Sequence, residues 1–198
     1  EAHDDYLRGR FYWSKGERED LETARKYFEQ AIQKDPRYAP AYAGLADYYS
    51  VLPFYTNARP DEVFPKAKEN VSKALELDSS LAEAHGTRAY ILTYYDWDWE
   101  TAEREFQQAL TLNPNDATMR HRYSRYLSSV GRVPEALAEL VEGVELAGQL
   151  GELVVGFGQL ALLHGLHREG DQGLLTGPVA AALAAGNSVV VKDWARDP

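Results

Sequence analysis

Along the first 147 residues, apolar side chains recur at spacings of three, four and seven, the period of one face of an α-helix. Ala24, Phe28 and Ala31 form one such stripe, in which the small residues let a neighbouring helix approach and the large one fills the space beside it. This periodicity, with the turn residues between stripes, predicts eight helices, at residues 3–14, 20–34, 39–51, 61–77, 81–94, 99–112, 116–129 and 133–147.

The same stripe returns along the chain, with its third member at 31, 74, 109 and 143, so that the intervals are 43, 35 and 34 residues. Asp35-Pro36 and Asn113-Pro114 follow two of the stripes and are expected to end those helices. Another apolar helix precedes each stripe, so each unit is a helix, a turn and a helix. Such a unit buries its apolar face only against its neighbours, which predicts a stacked array.

The phrases in these units resemble the tetratricopeptide repeat, or TPR. Tyr42-x2-Leu45-Ala46-x2-Tyr49 matches the first helix of that family, and Ala102-x3-Phe106-x2-Ala109-x4-Pro114 matches the second. The resemblance implies an all-α fold, a right-handed α-solenoid of about four repeats at 3–36, 39–79, 82–114 and 117–148. The opening residues 6–13 and residues 41–49 also resemble the TPR region of large bacterial signalling proteins and transcriptional regulators.

A TPR array implies a concave groove lined by the first helix of each repeat. Mapping the family's groove positions onto this sequence gives His3, Ser50, Glu83 and Ser128, and the partner-binding candidates Tyr6, Arg10, Trp13, Asp47, Tyr90, Tyr94, His121 and Arg125. Aromatic and arginine side chains dominate binding hot spots. The resemblance therefore implies a non-enzymatic scaffold that binds a peptide or a partner domain. The alternative for the three tyrosines is packing against second helices.

Two aromatic stretches lie outside the repeated phrases. Repeat two carries about nine extra residues between Val51 and Pro65, and we expect Phe54 and Tyr55 in this insertion to fold back over the apolar stripe. Trp97 and Trp99 are expected to pack between repeats three and four. A ligand role is the alternative for both stretches, because loops often carry function.

Composition excludes several functions. The 31 acidic and 21 basic residues give a net charge of -10, which argues against direct binding to nucleic acid. The chain has no cysteine, so thiol catalysis, cysteine-ligated zinc and disulfides are excluded. His164 and His167 lack the spacing and partners of a metal site. We therefore expect neither an enzyme nor a cofactor.

Residues 148–198 form a Gly/Ala/Val-rich tail that departs from the repeats. Residues 148–167 are expected to form a fifth helix, or a helix and a turn, that caps the last repeat. Residues 177–192 resemble a short segment of aldehyde dehydrogenases, whose lysine helps to hold a nicotinamide dinucleotide. An NAD-dependent dehydrogenase fragment is thus a remote alternative, which the absence of a nucleophilic cysteine disfavours.

The expected partner is a protein, a peptide or another domain of the same parent chain, since Glu1 suggests a piece of a longer protein. An intramolecular regulatory or oligomerisation module of a bacterial transcriptional regulator or kinase is the alternative function. No stretch reaches the roughly 18 apolar residues of a membrane helix. A cytoplasmic location is expected, and a periplasmic one stays open if the parent has a membrane anchor.

Overall fold

The computed structural model describes residues 1–147, and these residues form eight α-helices and no strand. The chain divides into two compact units, Glu1–Pro114 and Asn115–Pro198, each described here by itself. The expected capping helix and the segment resembling aldehyde dehydrogenases lie outside the described residues. The helices are α1 (Ala2–Lys15), α2 (Arg18–Lys34), α3 (Ala39–Tyr55), α4 (Pro60–Leu77), α5 (Ala82–Ile91), α6 (Trp99–Leu112), α7 (Ala117–Ser129) and α8 (Val133–Ala147).

The first unit consists of three helical hairpins, α1–α2, α3–α4 and α5–α6, stacked in chain order. The first helices of the hairpins adjoin one another, with α3 between α1 and α5. Each later first helix also packs on the preceding second helix, α3 on α2 and α5 on α4. In the second unit, α7 and α8 form a fourth hairpin. The predicted all-α repeat architecture is therefore confirmed.

The ring of Phe28 forms the centre of the packing between the first two hairpins. This side chain is fully buried, and its ring lies against backbone at Gly9 of α1 and Gly44 of α3. A Cβ atom at Gly9 would lie 2.4 Å from Phe28 Cε1, and one at Gly44 would lie 2.8 Å from the same atom. Only glycine therefore allows these three helices to approach so closely.

Helix ends follow the turn residues. Asp35, Asp78 and Asn113 leave the helical conformation at the ends of α2, α4 and α6. The carboxylates of Asp98 and Asp116 accept hydrogen bonds from backbone N–H groups in the first turns of α6 and α7. Such caps satisfy amides that have no partner within the helix.

Two predicted boundaries are wrong. Helix α3 continues past residue 51 to Tyr55, with Pro53 in its last turn. Proline has no N–H to donate to the preceding turn, and the helix ends two residues later, where Thr56 donates both its N–H and its hydroxyl to the Leu52 carbonyl. Helix α5 ends at Ile91, not at 94, and a π-helical turn, Leu92–Asp96, follows it.

Candidate partner-binding surface

Two side chains of α1 reach a carboxylate on α5. The Tyr6 hydroxyl donates a hydrogen bond to Glu83 Oε2 at 2.8 Å, and Arg10 Nη1 donates to Glu83 Oε1 at 2.8 Å. Because α3 lies between α1 and α5, these side chains cross one side of α3. We call this the inner side of the first unit, and Tyr6, Arg10 and Glu83 the polar clasp.

The polar clasp is partly shielded from water. Burial raises the pKa of Tyr6 well above its usual range, and the Glu83 carboxylate adds to this effect while the Arg10 guanidinium opposes it. The phenol therefore stays neutral and remains a hydrogen-bond donor. The Tyr6 ring also packs against Phe28 at a centroid distance of 6.0 Å, so the alternative of packing against a second helix holds in part.

The candidates on α3 are used inside the fold. Asp47 is buried and accepts a 2.6 Å hydrogen bond from the Thr87 hydroxyl on α5. Ser50 is also buried, and its hydroxyl donates to the Asp47 carbonyl at 2.8 Å. Half-buried Trp13 packs against core residues of the first two hairpins. Asp47 and Trp13 therefore connect neighbouring helices, whereas the Ser50 hydroxyl bonds within α3.

Three aromatic rings form a second feature of the first unit, the aromatic patch of Phe54, Tyr90 and Tyr94. The centroids of Tyr90 and Tyr94 are 4.6 Å apart, and Phe54 meets Tyr90 edge-on at 6.4 Å. Tyr90 is 7% exposed, whereas Phe54 is 61% exposed. The patch therefore offers a large ring to solvent on a rigid aromatic base.

The expectation that Phe54 and Tyr55 fold back is wrong, because both are about half exposed or more, at 61% and 49%. They occupy the last turn of α3 and not a loop. The sequence did hold an indication of this position for Phe54. It lies four residues after Ser50, so it falls on the same face of α3 if the helix continues past residue 51.

The tryptophan prediction is also wrong for Trp97, which is 65% exposed. Trp97 directly follows the π-helical turn, and its backbone is in the left-handed region at φ 59°, where few residues other than glycine are found. Its ring packs at a tilt against Trp99, at a centroid distance of 5.8 Å.

His121 and Arg125 lie on α7 in the second unit, whereas the aromatic patch belongs to the first. Burial lowers the pKa of His121, and the charges of Arg125 and Arg122 lower it further. Arg125 is exposed. Among residues 1–147, no three histidine or acidic side chains gather in a way that suits a metal ion. No helix within that range is long and apolar enough to span a membrane.

Solved structures with this architecture are TPR proteins. A thermophilic TPR protein of Thermus thermophilus is 22% identical, with a TM-score of 0.65 and 82% of each chain covered. YrrB, described as a TPR protein with an unusual peptide-binding site, is 20% identical, with a TM-score of 0.52 over 98% of this chain and 91% of its own.

The chain has the tetratricopeptide repeat fold. No family model matches it. Among curated proteins, the transcriptional regulator HilA of Salmonella typhimurium is 28% identical over 141 residues, which is 71% of this chain and 25% of HilA. Human tetratricopeptide repeat protein 36 is 36% identical over 109 residues, 53% of this chain and 52% of its own. The chain thus spans a quarter of one relative and about half of the other.

Proposed function

We propose that the first unit is a non-enzymatic scaffold that binds a peptide or the surface of a partner domain at the aromatic patch. The observation that carries this proposal is the 61% exposure of Phe54 above the packed rings of Tyr90 and Tyr94. A large apolar ring held on a rigid base loses little conformational entropy on binding, so contacts to it contribute efficiently to affinity.

The groove candidates of the first unit then fall into three groups. Tyr90 and Tyr94 belong to the proposed site, and Phe54 joins them although the groove positions of the family did not include it. Tyr6 and Arg10 are bonded to Glu83 on the same unit, so their proposed role is to hold α1 and α5 in place and to border the site. Trp13 and Asp47 support the first helices from within.

The similarity to HilA favours a second proposal about context. The matched region is a quarter of that regulator, so three quarters of its length lie outside the match. We propose that the array contacts such a segment of its own parent chain. The ligand of the aromatic patch would then be a segment of the same parent chain, and the array would act as its regulatory module. Both proposals place the contact on the same surface, so one experiment tests that surface for both.

Selection from random peptides displayed on phage tests the surface without knowledge of the ligand. The full chain serves as bait, and selected peptides are synthesised with a fluorophore for anisotropy titration. We expect Phe54→Ser to weaken binding at least about tenfold, because an exposed aromatic anchor is lost. The matched control is Phe11→Ser, which removes a phenylalanine of similar exposure, 59%, from α1.

If neither Phe54→Ser nor Tyr94→Ala changes the dissociation constant of the selected peptide, the proposed site is overturned. A parallel selection uses the Phe54→Ser variant as bait. If the wild-type chain enriches no peptide more strongly than this variant does, the proposed site is overturned as well. Circular dichroism of each variant shows that the helices are retained. The contrast between Phe54 and Phe11 therefore separates loss of a contact from loss of the fold.

A further inference from the structure

Helix α1 exposes two large apolar side chains one turn apart. Leu7 is 51% exposed and Phe11 is 59% exposed, and their i, i+4 spacing places them on one face. This face, which we call the α1 face, differs from the inner side that carries Tyr6 and Arg10.

The α1 face corresponds to a buried face in the next two repeats. When residues are counted from the start of each helix, Leu7 corresponds to Gly44 in α3 and to Thr87 in α5, and Phe11 corresponds to Tyr48 and Ile91. All four of these equivalent residues are buried. In α3 this burial comes from the preceding second helix, since Phe28 of α2 lies against Gly44 and Glu22 of α2 accepts from the Tyr48 hydroxyl. The α1 face therefore continues the series of helix-packing faces within the first unit.

The charges of α1 suit a second copy of the same helix. The chain as a whole has a net charge of -10, but α1 holds three basic and two acidic residues, which sums to +1. Its acids lie near the start, with Asp4 71% exposed, and Lys15 lies at the end, 43% exposed. In an antiparallel pair centred between Leu7 and Phe11, each Asp4 comes close to Lys15 of the other copy.

We propose that two copies of this chain associate through the α1 face, with their α1 helices antiparallel. Leu7 of each copy packs against Phe11 of the other. The Lys15 ammonium, which lies 5.0 Å from the Phe11 ring centroid of its own chain, then faces Asp4 of the other copy. The contact buries two large apolar side chains per copy, so we expect a weak, concentration-dependent dimer. This surface is separate from the aromatic patch, so the proposal does not depend on a ligand there.

Sedimentation equilibrium of the full chain from micromolar to millimolar concentration tests the proposal. We expect the weight-average mass to rise from the 22.2 kDa monomer towards twice that value. Phe11→Ser is expected to raise the dimer dissociation constant at least about tenfold. Phe54→Ser, which removes a phenylalanine of nearly equal exposure elsewhere, should leave the constant unchanged.

A wild-type chain that stays monomeric at millimolar concentration would overturn the proposal, and the α1 face would then be left for a helix of a different protein. A dimer that survives Phe11→Ser, or that Phe54→Ser weakens equally, would also overturn it. Failure of peptide binding at Phe54 leaves these outcomes unaffected, so the two proposals fail separately.

Charge reversal tests the antiparallel arrangement. Asp4→Lys and Lys15→Asp should each weaken the dimer, because each sets like charges opposite one another in both symmetry-related contacts. The double variant restores opposite charges and should recover the wild-type dissociation constant. Because Lys15 also lies 3.7 Å from Asp20, the thermal transition of each variant is followed as a control. A double variant as weak as the single ones would contradict the antiparallel pairing.

Discussion

Helices are held together by different kinds of contact in two places of the first unit. One place is the junction between the first two hairpins, and the other is the interior of the third hairpin. At the junction, the Phe28 ring fits against backbone that only Gly9 and Gly44 leave open. In the third hairpin, the Glu105 carboxylate on α6 pairs with His85 at 2.8 Å and with Arg88, both on α5. The first arrangement is therefore sensitive to volume, and the second to charge and pH.

The charged arrangement recurs at one place in the repeat. The fourth residue of each first helix, where the family has an aromatic residue, is Asp5, Tyr42, His85 or Arg120. Three of these pair with the second helix of their own hairpin: Asp5 with Lys34 at 2.6 Å, His85 with Glu105, and Arg120 with Glu139 at 2.6 Å. Contacts between polar or charged side chains thus take this place in these three hairpins.

The largest effect is expected at the junction. Phe28→Ala removes a fully buried ring and leaves a cavity that three helices border, which should lower the free energy of unfolding by about 3–5 kcal/mol. Urea denaturation followed by circular dichroism measures the change. A loss below about 1 kcal/mol would show that the helices close over the cavity, and would contradict a rigid fit of ring to backbone.

A smaller loss is expected from Gly44→Ala, although alanine favours helices more than glycine does. The new Cβ would lie 2.8 Å from the Phe28 ring, and such overpacking costs about 1–3 kcal/mol. The comparison variant is Gly143→Ala on α8, where the new Cβ would lie 3.3 Å from the nearest atom, so the overlap is smaller. Thermal or urea unfolding should show a larger loss for Gly44→Ala than for Gly143→Ala, and equal effects would contradict the steric account.

The third hairpin should respond to pH. Burial favours the protonated form of Glu105, but hydrogen bonds from Arg88 and His85 outweigh it and lower the pKa of this carboxyl. Its contribution to stability is therefore complete above the pKa of the unfolded chain, about 4.3, and is lost as the pH falls through the lower folded value. Glu105→Gln should cost about 1.5–3 kcal/mol at neutral pH, the range for hydrogen bonds to charged groups.

Urea denaturation of both proteins at a series of pH values measures this linkage. The difference in unfolding free energy between wild type and Glu105→Gln should shrink as the pH falls below about 4. A difference that stays constant with pH would mean that the carboxylate charge contributes nothing. The junction variants Phe28→Ala and Gly44→Ala serve as controls, because their differences should not depend on this titration.

Much of the fold followed from the sequence, because stripes such as Ala24, Phe28 and Ala31 and the Asp-Pro turns act locally. The predicted bounds of α6 and α8 agree with the structure, and the other helices differ mainly at their ends. The extension of α3 was missed because the residues after Val51 were assigned to an insertion, whereas the helix continues through Pro53 to Tyr55.

The site was harder to predict. Groove positions from the family named Tyr90 and Tyr94 but could not show that Tyr6 and Arg10 bind Glu83, since that clasp joins residues more than 70 positions apart. Phe54 was assigned to a loop, so its place beside Tyr90 was missed. The charged pairs of the hairpins were missed because His85 and Glu105 meet only after the hairpin has formed.

The most direct test of the proposed site is chemical-shift mapping with isotope-labelled chain and a phage-selected peptide. The proposal predicts that the amide and side-chain shifts that change on titration cluster at Phe54, Tyr90 and Tyr94, and that Phe54→Ser abolishes them. Changes concentrated instead around Tyr42, Glu69 and Lys73, which line a separate depression in the first unit, would contradict it.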